Sequence, residues 1–187
     1  MAELKQRKCK ACKTPFTPAR STQTACGIDC AMQLAHERKV KLAECDRLDT
    51  VRKDRARKER LKTRRDWENE AQAAFNAWVR LRDADKPCIS CGRRHEGQYH
   101  AGHYLSVGAR PELRYEPLNV WKQCAPCNTH LSGNAVLYRQ ALVREIGIEK
   151  VEWLEGPHPV RKYTADDLKA IRDLYRAKLR ELVKERA

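Results

Sequence analysis

Eight of the nine cysteines stand in four close pairs: Cys9 with Cys12, Cys26 with Cys30, Cys88 with Cys91, and Cys124 with Cys127. Three pairs are C-x2-C and one is C-x3-C. At this spacing a tight turn aims both sulfurs at one cation, and two pairs complete the tetrahedral sulfur shell that zinc prefers. Sequential pairing is the economical arrangement. Cys9, Cys12, Cys26 and Cys30 then hold one ion, and Cys88, Cys91, Cys124 and Cys127 the other. Four thiolates leave no position for water, so two structural Zn2+ ions are expected, neither of them catalytic. Arg7, Lys8, Lys10 and Lys13 favour the thiolate form around the first pair. Cys45 is left over on a helical stretch, where it reads as a small buried or bystander residue.

Composition is consistent with such staples. Hydrophobic residues make up 41% of the 187, charged residues 34%, and only two are Phe. That is too polar for one large apolar core. Lys and Arg number 39 against 25 Asp and Glu, a formal charge of +14 with a pI near 9.6. An excess this large speaks about partners, nucleic acid or an anionic membrane. No apolar run approaches the roughly 20 residues of a membrane span, and the opening MAELKQRKCK lacks the apolar stretch of a signal peptide. The expectation is a cytoplasmic protein with no membrane partner. In that compartment thiols stay reduced and paired cysteines mean metal.

The elements that must position the cysteines follow from periodicity. Residues 1–30 read as an N-terminal four-cysteine zinc module with a Pro-containing loop. Residues 31–86 contain neither Gly nor Pro and read as one long basic helix or two. Between Arg38 and Arg65 thirteen Lys or Arg face five Asp or Glu. Five acids cannot neutralise thirteen bases, so Arg52, Lys53, Arg55, Arg57, Lys58 and Arg60 are candidate DNA contacts. Trp67, Ala71, Ala74, Phe75, Trp78, Val79 and Leu81 then form a helical apolar stripe suited to core packing. Residues 87–147 form the second zinc unit: extended runs at Tyr99–Leu105 and Leu118–Gln123 around a Gly/Pro loop, a cysteine pair, and a helix from about Asn128 to Gly147. Residues 148–187 are a loop and a final helix that opens on a Thr164–Asp167 capping box. Its Leu168, Ile171, Leu174, Tyr175, Leu179 and Leu182 are expected to face the 87–147 unit or another subunit.

The order strand, loop, strand, helix between two cysteine pairs resembles the HNH endonucleases. More closely, the chain resembles the phage NinG/Rap recombination proteins. The matching segments are CISC, HAGHY, PLNVW and CAPCNTHLSGN, with the N-terminal cysteine pairs and basic helix extending the likeness over most of the chain. The resemblance implies an α+β, mostly helical fold with a zinc-stapled ββα-metal (HNH-like) core. It puts His103 at the general base, where a neutral imidazole can take a proton from water near pH 7. It puts Asn119 at the position that orients the hairpin, and Asn128 at the helix-borne ligand of one catalytic divalent metal per site, Mg2+ or Mn2+. Many HNH enzymes carry Asp or His directly before the base, as a second metal ligand; here that residue is Gly102. His100, on the same side of a regular strand, is the candidate substitute, and His130 a second. Arg110, Arg114, Lys122 and Arg139 are further candidates for holding phosphates. His36, His95 and His158 read as ordinary surface or core residues.

The family implies a metal-dependent endonuclease that cleaves branched recombination intermediates, Holliday junctions or D-loops. Two coordinated cuts call for two active sites and hence a homodimer. If the chain is phage-encoded, it works in the host cytoplasm. The alternatives are a non-catalytic zinc-finger nucleic-acid-binding protein and an HNH nuclease of ordinary duplex DNA.

Overall fold

The stretch without Gly or Pro folds as two helices, α1 (Ile28–Arg60) and α2 (Arg64–Arg82). The computed structural model describes residues 5–187, so the first four residues of the N-terminal module lie outside it. The helix break needs neither of the usual breakers. Thr63 takes an extended backbone, accepts from the Asp66 N–H at 3.3 Å, and donates its own N–H to the Asp66 carboxylate at 2.8 Å. This capping box satisfies two N-terminal donors and starts a new helix. The break coincides with the division of the chain into two units, one ending at Leu61 and one running from Lys62 to Ala187.

The architecture is mostly helical α+β with two small antiparallel sheets. In the first unit β1 (Arg7–Lys8) pairs with β2 (Pro15–Phe16). The bend between them brings the Cys9 N–H onto the Thr14 carbonyl at 2.9 Å. α1 follows, 33 residues long and without one buried residue. Cys45 lies exposed on it, which settles that residue as a surface bystander.

The second unit is built around a hairpin. β3 (Tyr99–His103) pairs with β4 (Val120–Cys124), in a register that sets His100 opposite Gln123, Gly102 opposite Trp121 and His103 opposite Val120. Both strands are shorter or shifted relative to their expected runs, because Leu118 and Asn119 belong to a short 3-10 turn. β4 is buried along its whole length. Successive side chains point to opposite faces, so Trp121 enters one apolar cluster and Val120 another. The first joins Trp121 to Tyr138 and Leu142 of α3 (Ala135–Ile146) and to Val151 and Leu154 of α4 (Ile148–Glu155). The second packs Val120 with Trp67, Ala71, Phe75 and Val79 of α2 and with Leu168 and Tyr175 of α5 (Ala165–Glu185). Phe75 meets Tyr175 edge to face at 4.7 Å, a geometry that adds about 0.5–1.5 kcal/mol to simple burial. The expected Thr164–Asp167 capping box opens α5.

The last turn of α2 is clamped to the hairpin. Arg82 donates to the Val120 carbonyl at 2.8 Å and to the Pro117 carbonyl at 3.1 Å. The buried Asp83 carboxylate accepts from Arg82 and from the Lys122 N–H at 3.1 Å. A buried carboxylate is tolerable only when it is paired and hydrogen-bonded in this way.

The helix expected from Asn128 to Gly147 is interrupted. Pro126–His130 is a single π-helical turn, closed by the Leu131 N–H on the Pro126 carbonyl at 3.1 Å. Ser132, Gly133 and Asn134 then all have positive φ, at 48°, 89° and 47°. Gly and Asn adopt this backbone readily and Ser less so, and α3 restarts only at Ala135. Among the described residues no helix is long and apolar enough to cross a membrane.

Candidate metal centres and active site

The four N-terminal cysteines converge, with their sulfurs all within 4.8 Å of one another. Cys12 and Cys26 are 3.5 Å apart and Cys26 and Cys30 3.6 Å. A tetrahedron with Zn–S bonds of about 2.3 Å has S···S edges of about 3.8 Å, so the cluster can close on zinc with little movement. The Cys26 N–H points at the Cys9 sulfur from 3.4 Å. Although burial opposes it, the backbone N–H groups of Cys26, Cys12 and Ala11 draw the Cys9 thiol down to about 6. Cys26, sharing protons with Cys12, Cys30 and Cys9, is pushed up to about 12. Metal binding would therefore release protons from this cluster.

Cys88, Cys91, Cys124 and Cys127 form a second cluster by the same measure. Cys91 and Cys124 lie 3.9 Å apart, and the Cys124 N–H points at the Cys88 sulfur from 3.3 Å. Two further side chains attend it. Asn134 Nδ2 is 3.8 Å from Cys127 Sγ, and His95 Nε2 is 3.3 Å from Cys91 Sγ. His95 is therefore not the ordinary surface or core residue expected. It belongs to the surroundings of this cluster, and its spacing from Cys91, C-x3-H, was the available signal. Both cysteine sets can hold zinc, and neither leaves a sulfur-free position for chemistry.

The remaining candidates gather on the hairpin. His103 ends β3, half-buried, with Nε2 2.9 Å from the Arg114 carbonyl oxygen. A carbonyl can only accept, so Nε2 carries the proton and Nδ1 keeps a lone pair. Burial holds the imidazole below its ordinary value and the Arg114 guanidinium pushes the same way, against the effect of the hydrogen bond to the Arg114 carbonyl. Asn119 is fully buried and ties the loop between the strands to itself. Its amide donates to the Leu105 and Leu113 carbonyls at 3.0 and 3.2 Å, and its oxygen accepts from the Leu105 N–H at 2.9 Å.

Asn128 lies on the π-helical turn immediately after Cys127, half-buried. Its Oδ1 lies 3.0 Å from the point where a Cβ on Gly102 would stand, and Gln123 Oε1 overlaps that same point. No side chain fits at Gly102 while Gln123 is there. Gln123 is fully buried, and its Nε2 donates to Ser90 Oγ and to the Gly133 carbonyl, both at 2.6 Å. Its Oε1 has no partner, alone among the buried side-chain polar atoms of the described residues. An acceptor buried in that state costs about 1–3 kcal/mol. His100 is half-buried opposite Gln123, and His130 is exposed on the turn. Among the described residues, no three His, Cys, Asp or Glu side chains converge outside the two cysteine clusters.

The basic candidates divide. Arg52, Lys53, Arg55, Arg57, Lys58 and Arg60 all lie on α1, the helix without a buried residue. Arg110, Arg114, Lys122 and Arg139 are committed to internal partners instead. Arg110 pairs with Glu112 at 2.7 Å and donates to carbonyls at the end of α4. Arg114 pairs with Glu68 and donates to Gln72 at 2.7 Å. Lys122 is buried, with its ammonium on the Ala84 carbonyl at 2.7 Å. Arg139 pairs with Glu155 at 2.7 and 3.0 Å. The first three fasten the loop, α2 and the hairpin together rather than present charge outward, whereas Arg139 stays exposed on α3 in a surface pair.

No solved structure matches this chain. The family model described as bacteriophage lambda NinG protein matches residues 1–185. Protein ninG of Escherichia phage 933W is 41% identical over 198 residues, covering 100% of this chain and 98% of that protein. Protein ninG of Escherichia phage lambda is 40% identical over 200 residues, covering 100% and 98%. Protein ninG of Salmonella phage P22 is 40% identical over 195 residues, covering 97% and 96%. With a model match and relatives that run its full length, the chain belongs to the NinG protein family of bacteriophages.

Proposed function

We propose that this chain is a metal-dependent DNA endonuclease with an HNH-type ββα core, cleaving branched recombination intermediates such as Holliday junctions and D-loops. The observation that carries the reading is the state of His103. One ring nitrogen is fixed as a donor to the Arg114 carbonyl, which orients the ring and leaves Nδ1 as an acceptor. Burial keeps it neutral. Those are the requirements of a general base toward water. Asn119 supports the reading as a positioning residue, because it braces the loop that carries the Arg114 carbonyl.

Phosphodiester hydrolysis also needs positive charge at the phosphate, which a bound Mg2+ or Mn2+ supplies. The amide oxygen of Asn128, directly after the last cysteine, is a hard donor of the kind these ions take. The unpartnered Gln123 oxygen, which crowds the same point at Gly102, supports a cation there. The two zincs would keep the hairpin and the N-terminal module in shape, and the exposed cations of α1 would hold the DNA backbone. Preference for branched DNA is what the resemblance to the NinG/Rap recombination proteins implies. Two coordinated cuts would make a homodimer the active form, acting in the host cytoplasm.

The test is His103→Ala on a four-way junction with Mg2+ or Mn2+, beside a linear duplex at the same salt. Nicking falls by about 100-fold or more, while binding is retained. Wild-type protein that never cuts the junction with either metal overturns the reading in favour of a non-catalytic zinc-finger binder, and an alanine variant that cuts as well as wild type removes His103 as the base. Equal cutting of linear duplex removes the branched preference alone.

A further inference from the structure

The Gly102 position, which offers no side chain, faces two amide oxygens that belong to other residues. We propose that Gln123 supplies the second protein ligand of the catalytic cation, alongside Asn128, in place of the side chain that Gly102 lacks. The inference rests on the nuclease reading above and names the residues of its metal site.

The geometry is specific. Gln123 Oε1 and Asn128 Oδ1 crowd one point, the site of a Cβ on Gly102, with the asparagine oxygen 3.0 Å from it and the glutamine oxygen closer still. The orientation of the glutamine amide is fixed by chemistry. Its nitrogen faces the Gly133 carbonyl at 2.6 Å, an acceptor only, so a flipped amide would set two acceptors against each other. Oε1 is thereby held toward Gly102 and Asn128, buried and without a donor. A divalent cation held between the Gln123 and Asn128 amide oxygens would give Oε1 the partner it lacks, since Mg2+ and Mn2+ take amide oxygens.

The same packing explains the glycine. A carboxylate or imidazole at 102 would need its Cβ in the space that the Gln123 oxygen fills, so the ligand has moved from β3 to the facing strand β4. His100 and His130 are then not required. His130 stands exposed on the turn, and a cation on the two amide oxygens would itself satisfy the one orphaned acceptor.

The experiment is a Mn2+ titration of the wild-type protein, followed in the 15N–1H spectrum of its side-chain amides. The Gln123 and Asn128 amide signals are expected to broaden first, ahead of the amides of Gln33 and Gln72, which lie on α1 and α2. Affinity for Mn2+ measured by electron paramagnetic resonance falls by about tenfold or more in Gln123→Leu and in Asn128→Ala, and in Gly102→Ala, whose Cβ displaces Oε1. His100→Ala and His130→Ala bind as wild type. Should Gln123→Leu fail to fold, Gly102→Ala, whose Cβ contests the space of Oε1 while Gln123 stays in place, decides instead. If the Gln123→Leu and Gly102→Ala proteins bind Mn2+ as wild type, or if His100→Ala loses the metal instead, the glutamine assignment is overturned while the nuclease stands. If Mn2+ binds nowhere near the hairpin and neither metal supports cutting, both fall.

Discussion

The two four-cysteine clusters share their ligand type and close pairing and differ in their surroundings. In the first, Cys12 and Cys26 are exposed, and no apolar cluster of buried residues lies among residues 5–61. In the second, Cys88, Cys124 and Cys127 are buried beside Tyr99, in a unit with two further apolar clusters. The same chemistry therefore does two jobs. In the first module a bound metal would stand in for a core; in the second it would fasten an existing one. The consequence is a difference in how each unit responds when its ligands are removed.

The largest effect belongs to the first cluster. Cys26→Ser removes a ligand from a module with no apolar core, and zinc binding in such modules contributes about 10–16 kcal/mol of folding free energy. Residues 5–30 are expected to lose hydrogen-exchange protection entirely, while α2 and α5 keep theirs. Persistence of the β1–β2 pairing without zinc would show that the module has some other source of order.

Cys124→Ser should act less completely. The α2–α5 pair and the α3–α4 cluster still bury Phe75, Tyr175, Tyr138 and Leu142. A drop in melting temperature of roughly 10–20 °C is expected, with most of the helical circular dichroism retained at low temperature. Complete loss of helix would mean that the hairpin, and not the apolar clusters, nucleates the unit.

Much of this contrast was legible in the sequence. The cysteine spacing marked both clusters, and the stripe from Trp67 to Val79 marked a buried helix where α1 has none. What periodicity could not reveal was partnership across the chain. Arg110, Arg114 and Lys122 read as cations near a hairpin, hence as phosphate contacts. Their actual partners are Glu112, Glu68 and the Ala84 carbonyl, and the last two are brought to the hairpin by α2 and its C-terminal end, tens of residues away. The break after Leu61 was hidden differently: its signal, Thr63 followed by Asp66, is present but short, and no Gly or Pro marks it. Gln123 carried no motif at all. Its importance comes from a glycine on the neighbouring strand, which only the register brings to it.

A milder prediction concerns the exposed cations of α1. Replacing Arg52, Arg55 and Lys58 with Gln leaves no buried group unpaired, because none of α1 is buried. Arg52 loses only its surface pair with Asp49 at 3.1 Å, and such pairs contribute little. DNA binding should weaken evenly across sequences, and the dependence of log K on log salt should flatten by about one unit per cation removed. The same kind of substitution at Arg110, Arg114 and Lys122 should instead lower stability and leave the salt dependence nearly unchanged. A flattened slope in that second set would return those cations to the DNA surface.

The smallest expected effect is on pH dependence. A base works when unprotonated, and burial together with the Arg114 guanidinium holds His103 below its ordinary value of 6.5. The acid limb of kcat/KM for junction cleavage should therefore have its midpoint below 6.5, with the rate falling as pH drops through it. The same shift has a stability consequence of matching sign. The unfolded chain takes up a proton that the folded imidazole resists, so this contribution is present above the unfolded value and is lost as pH falls below it. Arg114→Gln removes one cause and should move the limb upward, toward 6.5 without passing it, since burial remains. Arg114→Lys keeps the charge and should leave the limb nearer the wild-type position. A limb that stays fixed in both variants would assign the whole shift to burial. A wild-type limb above the ordinary histidine value would mean that the titrating base is some group other than His103.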